Sequence, residues 1–144
     1  MAATMIDTNV LIYAYDRTEP EKQCRALAVL DELARSGHGV LSAQVLSEFF
    51  VNVTRKIAAP LTVAQARERL AHYVEIWPVV PVTSQVVFQA IRGVREYHFS
   101  FWDAQIWAAA LLSGAPVVLS EDFNAGAVIE GVRFINPFAA DLEV

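Results

Sequence analysis

The sequence predicts an α/β fold in which a central parallel sheet is covered by helices on both faces. Two observations carry this. Short apolar runs alternate along the chain with longer segments of helical periodicity. In addition, 55% of the 144 residues are apolar and 19% charged, enough for one core, and no repeat, linker or low-complexity segment divides it. Residues 1–144 therefore read as a single domain. Residues 3–8 read as a first strand running straight into an apolar helical segment, Val10 to Tyr15. Thr18 with Glu21 forms a capping-box pattern around Pro20, and Leu27, Leu30, Leu33 and Ala34 recur at helical spacing until Gly37. His38 to Leu41 is a second strand, and Ser42 caps a helix whose apolar stripe is Leu46, Phe49, Phe50, Val53 and Ile57. Thr62 with Gln65 opens the next helix, to about Ile76. Val79 to Thr83, bracketed and broken by Pro78 and Pro81, fits only a short edge strand. Residues 84–98 and 101–113 read as helices, Pro116 to Leu119 as a strand, and Val132 to Ile135 as the last strand before Asn136-Pro137.

Composition removes several function classes. A lone cysteine, Cys24, forms no intramolecular disulfide and offers no zinc-ligand spacing; in the middle of a helix it reads as a packing residue. The longest apolar stretch is interrupted by Gln105, Ser113, Gly114 and Pro116, so no membrane span is expected, and the N-terminus lacks a secretory pattern. The expectation is a soluble cytoplasmic protein. A net charge of −5 argues against broad nonspecific binding to phosphate backbones, although nine of the eleven basic residues are Arg, the side chain best suited to bidentate phosphate contacts.

Four acids stand in apolar company. Asp7 ends the first predicted strand and Asp122 follows the strand before it, both at the sheet edge where open α/β folds bind ligands. Glu48 lies two turns into its helix, and Asp103 sits in the first turn of a helix that is otherwise almost entirely apolar. Each has an ordinary reading: Asp7 as helix cap, Asp103 as complement to a helix dipole, Glu48 as a solvated side chain, Asp122 as a turn residue. Their shared location favours a site. Oxygen donors with no convergent His or Cys suit a hard divalent ion, which would activate water for attack at a phosphate.

The segments MIDTNVLIYAYD (5–16), LSAQVLSEFF (41–50), FWDAQIWAAALLSGA (101–115), VVLSEDFNAG (117–126) and FINPF (134–138) together resemble, in order, the motifs of PIN-domain ribonucleases of the VapC type, the toxins of bacterial toxin–antitoxin pairs. The resemblance implies a PIN-like three-layer sandwich and a Mg²⁺-dependent endoribonuclease, with Mn²⁺ as the other candidate ion. It implies that Asp7, Glu48 and Asp103 line the active site and Asp122 completes it. On this basis Asp7 and Asp103 are expected to be direct metal ligands, Asp122 a further ligand, and Glu48 the group that orients or deprotonates water, with the last two roles exchangeable. Ser120 stands where the family more often has Thr, and Thr8 and Asn9 match the family's residues after the first acid, with an orienting role. The resemblance also implies an RNA substrate, a small cognate antitoxin and a homodimer.

Other candidates are weaker. Arg92 and Arg95 lead toward Asp103 and are the expected contacts to an RNA backbone. Trp102 and Trp107 read as core or interface before base-stacking platforms, and His38, His72 and His98 are scattered. The helices Glu19–Ser36 and Ser42–Ile57 are the expected antitoxin groove, with Phe49 and Phe50 as its anchors. Two other classes compete: an aspartyl-phosphate phosphatase or phospho-receiver, which also begins with an Asp after the first strand, and a PIN-like binding domain without catalysis. The first lacks a second Asp at residue 9 and has only Lys22 and Lys56 to draw on.

Overall fold

A computed structural model describes residues 3–139. Six strands, β1 (Thr4–Ile6), β2 (Gly39–Ser42), β3 (Val79–Val80), β4 (Val117–Leu119), β5 (Val128–Ile129) and β6 (Val132–Ile135), form one sheet in the order β3-β2-β1-β4-β6-β5. Six helices flank it: α1 (Thr8–Tyr13), α2 (Pro20–Ser36), α3 (Ala43–Arg55), α4 (Val63–Ile76), α5 (Ser84–Tyr97) and α6 (Phe101–Ser113). The result is the expected three-layer α/β sandwich. β1 is central, paired in parallel with β2 on one side and β4 on the other, with Ile6 opposite Leu119. The chain winds outward in both directions from that pair, so the β1–β4 boundary is the switch point of the sheet.

One strand departs from the parallel expectation. β5 pairs antiparallel with β6, Val128 opposite Arg133, so the sheet is mixed at that edge. The turn between them places Glu130 at φ 51° and Gly131 at φ 85°, two consecutive left-handed residues as a tight hairpin requires. Glu130 is unusual in that conformation, and its carboxylate is gripped by both Arg92 guanidinium nitrogens (2.7 and 2.8 Å) and by the Tyr97 hydroxyl. β3 lies at the opposite edge, as its flanking prolines demand.

The caps follow the sequence with one exception. Ser42, Thr62, Thr83 and Ser100 each accept from a backbone N–H in the first turn of their helix, and Thr62 with Gln65 forms a complete capping box. The box expected at Thr18 and Glu21 does not form: the Thr18 hydroxyl and N–H both donate to Asp16 Oδ1 (2.6 and 3.0 Å), and α2 starts at Pro20 with no side-chain cap.

Packing corrects three further expectations. Cys24 is exposed rather than packed. Phe49 is fully buried, edge-on to Tyr15 and Tyr73, so it belongs to the core and cannot anchor a partner; Phe50 is half-buried. The helices packed on α3 are α1 and α4, while α2 packs on α1. The cleft beside α2 is therefore walled by α4, through Arg69, His72 and Tyr73, and not by α3. Trp107 is fully buried whereas Trp102, five residues earlier on α6, is 63% exposed. Among the described residues no helix is long and apolar enough to cross a membrane.

Candidate active site

Asp7 follows β1 directly, and its backbone N–H continues the sheet by donating to the Leu119 carbonyl (3.0 Å). That register sets Asp7 beside Ser120, the residue after β4. The Asp7 side chain caps α1, with Oδ1 accepting from Thr8 N (2.7 Å) and Oδ2 from Ser120 Oγ (2.7 Å). Asn9 ties the loops together: Nδ2 lies 3.4 Å from Asp7 Oδ2, 3.1 Å from Ser120 Oγ and 3.1 Å from Asp122 Oδ2, while its Oδ1 accepts from Glu121 N (3.3 Å). Ser120 Oγ in turn accepts from Asp122 N (3.0 Å). Thr8 supports Asp7 through its backbone, and its buried Oγ1 has no hydrogen-bond partner among the described residues.

The other two acids arrive on helices. Ser42 ends β2 and caps α3, which carries Glu48 half-buried. Ser100 caps α6 by accepting from Asp103 N (3.2 Å), fixing Asp103 in the first turn. A pair of buried glutamines joins the helices: Gln44 Nε2 donates to Glu48 Oε1 (2.7 Å) and to the Trp102 carbonyl (3.1 Å), and Gln44 Oε1 accepts from Gln105 Nε2 (2.8 Å). Glu48 is thereby tied to the turn that carries Asp103. Sequence reasoning passed over both glutamines, although a polar residue amid LSAQVL or DAQIWAAA is itself a signal, since a buried amide needs partners.

The acids are coupled pairwise through Asp7 and Asp122. Burial raises the Asp7 carboxyl to about 7, with the charges of Asp122 and Glu48 adding to the rise and the bonds from Ser120 and Thr8 opposing it. Burial and Asp122 likewise raise Asp103, against the bond from Ser100. The electrostatic contacts thus run from Glu48 to Asp7 to Asp122 to Asp103. Among the described residues no three His, Cys, Asp or Glu side chains converge tightly enough to hold a metal ion as they stand. The donor set nevertheless fits a hard divalent cation: it is made of oxygen ligands alone, the carboxylates coupled to a buried Asp7, with the Thr8 hydroxyl, unpartnered among the described residues, beside it.

The sequence matches the PIN domain family model over residues 4–128. The chain belongs to the PIN domain family. No curated protein matches it significantly. Solved structures similar to this PIN domain include one from a Klebsiella pneumoniae toxin–antitoxin complex, with TM-score 0.68 and 18% identity over 94% of this chain and 98% of that one. Another, from FitAB bound to an IR36 DNA fragment, has TM-score 0.69 and 21% identity over 98% of each chain. A third is VapC20 of Mycobacterium tuberculosis, described as a sarcin-ricin-loop-cleaving toxin, with TM-score 0.62 and 18% identity over 89% of this chain and 98% of that one.

Of the two arginines expected at an RNA backbone, Arg92 is engaged within the fold and Arg95 is largely exposed. Arg92 is held by Glu130 and Glu96 and lies over the Trp107 ring, and Arg95 lies 3.5 Å from Glu96. Lys22, which carried no expectation, bonds Glu121 (2.8 Å) and stands over the Tyr13 ring, and the Tyr13 hydroxyl donates to the same carboxylate. Glu121 is thus clamped immediately before Asp122. No sequence spacing announces this trio, because its members lie on α1, α2 and the loop after β4.

Proposed function

We infer that this PIN-domain protein is a metal-dependent endoribonuclease and the toxin of a toxin–antitoxin pair. The observation that carries the reading is the line of acids Glu48, Asp7, Asp122 and Asp103, each electrostatically coupled to the next, at the switch point of the sheet, the place where this class of fold binds ligands. The similar structures described as toxin–antitoxin complexes, and the one described as an RNA-cleaving toxin, support the biological class.

Asp7, Asp103 and Asp122 are the residues that would hold Mg²⁺ or Mn²⁺. When bound, the ion supplies neutralisation of charge at the phosphate and activation of water. Asn9 and Ser120 orient Asp7 and Asp122 relative to each other. Glu48 has Oε1 fixed by Gln44 while Oε2 accepts no hydrogen bond from a described residue, which suits it to orienting water or receiving its proton. On this reading the protein acts on RNA in the cytoplasm, is a homodimer, and is held inactive by a small antitoxin.

The test is incubation of purified protein with structured RNA in Mg²⁺, Mn²⁺ or EDTA. Cleavage should require the cation, and Asp7→Asn and Asp103→Asn should each lower the rate by at least ~10²-fold, the usual cost of losing one electrostatic transition-state group. Full activity in either variant, or cleavage in EDTA, overturns the assignment.

A further inference from the structure

Gln44, Glu48, Asn52 and Lys56 recur every fourth residue and stand in one row along α3 and its C-cap. With Trp102 they line an open groove of about 560 Å³ between α3 and the start of α6. The groove begins at the acids, since Glu48 is in its wall and Trp102 immediately precedes Asp103. Trp102 is 63% exposed, an unusual state for so large an apolar group, and its backbone is held in place by the bond from Gln44 to its carbonyl. Lys56, at the far end of the row, makes no ion pair with a described residue, in contrast to Lys22 and Arg92. Eight residues of helix separate Glu48 from Lys56, about 12 Å at the α-helical rise.

We propose that this groove binds a nucleotide of single-stranded RNA next to the scissile bond, with its base stacked on Trp102 and a flanking phosphate at Lys56; the inference rests on the nuclease reading above. A ring projecting beside a reaction centre and a free cation one short strand-length away are the two elements of sequence-tolerant single-strand recognition. A duplex presents no free base face to Trp102. The row also explains how an acidic protein holds an anion: Lys56 is the one cation among the groove's lining residues, and it stands at the end away from Glu48.

The experiment uses the full chain carrying Asp7→Asn, in EDTA, and a short fluorescein-labelled single-stranded oligoribonucleotide of mixed sequence, read by anisotropy. Adding Trp102→Ala should weaken binding roughly tenfold, and Trp102→Phe should recover most of that loss, because stacking needs only an aromatic face. Lys56→Met should lower the slope of log affinity against log salt by about 0.7, the loss of one phosphate contact on a single strand. The same RNA annealed to its complement should be insensitive to Trp102. Absence of measurable binding, or equal affinity in Trp102→Ala, overturns the proposal. It is also overturned if light scattering shows Trp102→Ala splitting a dimer while affinity per chain stays unchanged, for the groove is then covered by a second copy. Melting curves identify a Trp102 variant that fails to fold, in which case Lys56→Met decides. Because binding is measured without turnover, failure of the nuclease reading appears separately, as cleavage by Asp7→Asn in Mg²⁺.

Discussion

A carboxylate is costly to bury, and Asp7, only 5% exposed, must accommodate two neighbouring acids as well. Its pKa rises from 3.8 to about 7 in the folded protein, so stability from this group is fully present below 3.8 and is lost as pH climbs toward about 7, where the unfolded chain has already released the proton. In metal-free protein the loss amounts to at most about 4 kcal/mol, from some three pKa units. Asp7→Asn should flatten that part of the stability curve, which urea titrations across the window would read; a wild-type curve that rises with pH would contradict the burial. At this scale the sequence was informative where chain order alone decides. Asp7 and Ser120 follow adjacent strands, so their meeting was readable once those strands were recognised. Gln44 and Gln105 were not, because their partnership depends on how α3 approaches α6.

The hairpin of β5 and β6 shows why one element escaped the sequence reading. Two left-handed residues in a row are ordinarily announced by Asn-Gly or Asp-Gly, and here the first is Glu130, whose conformation is supported by Arg92 and Tyr97 from α5. Similarly, the false capping box at Thr18 lost to a local competitor, Asp16. The boundaries of α4, α5 and α6 were legible because caps and apolar spacing agree, whereas α1 starts at Thr8, two residues before the expected Val10, because Asp7 caps it, and β3 ends at Val80 before Pro81. Gly93 on α5 illustrates an opposite constraint. Alanine ordinarily stabilises a helix interior by about 1 kcal/mol over glycine. A Cβ here would lie 2.9 Å from Trp107 Cζ3 and 3.3 Å from Phe99 Cδ2. Gly93→Ala should therefore destabilise the protein by up to about 2 kcal/mol, the usual overpacking cost of about 1–3 less the propensity gain of about 1. Trp107→Phe in the same chain should recover part of it. A higher melting temperature in the single variant would show that α5 and α6 are free to part.

For the molecule as a whole, the acids should couple metal to stability. Mn²⁺ is expected to raise the melting temperature, and Asp103→Asn to melt no lower than wild type in EDTA while losing most of the metal-induced rise, because it removes both a repulsive charge and a proposed ligand. Identical responses of the two proteins to Mn²⁺ would refute a shared site. The proposed biology has its own measurement: induced alone the protein should arrest growth, Asp7→Asn should be harmless, and a small protein encoded beside it should co-purify and relieve the arrest. Harmlessness of well-expressed wild type would remove the toxin assignment. The family and the alternation of strands and helices were legible at this scale from five ordered blocks. The groove beside Trp102 was not, since helical spacing alone does not tell which of two tryptophans faces inward.

The order of strands also has a consequence for synthesis. β1 is made first, yet its neighbour β4 lies more than a hundred residues later, and Ser120 and Asp122, the partners of Asp7, lie later still. Pairings of such sequence separation are slow to form and come only after the intervening chain is available. A nascent chain shorter than residue 117 holds Asp7, Glu48 and Asp103 but neither the strand that closes the sheet beside Asp7 nor the fourth acid. On the proposed nuclease reading the chain would thus stay inert on the ribosome until the segment from β4 to Asp122 has emerged.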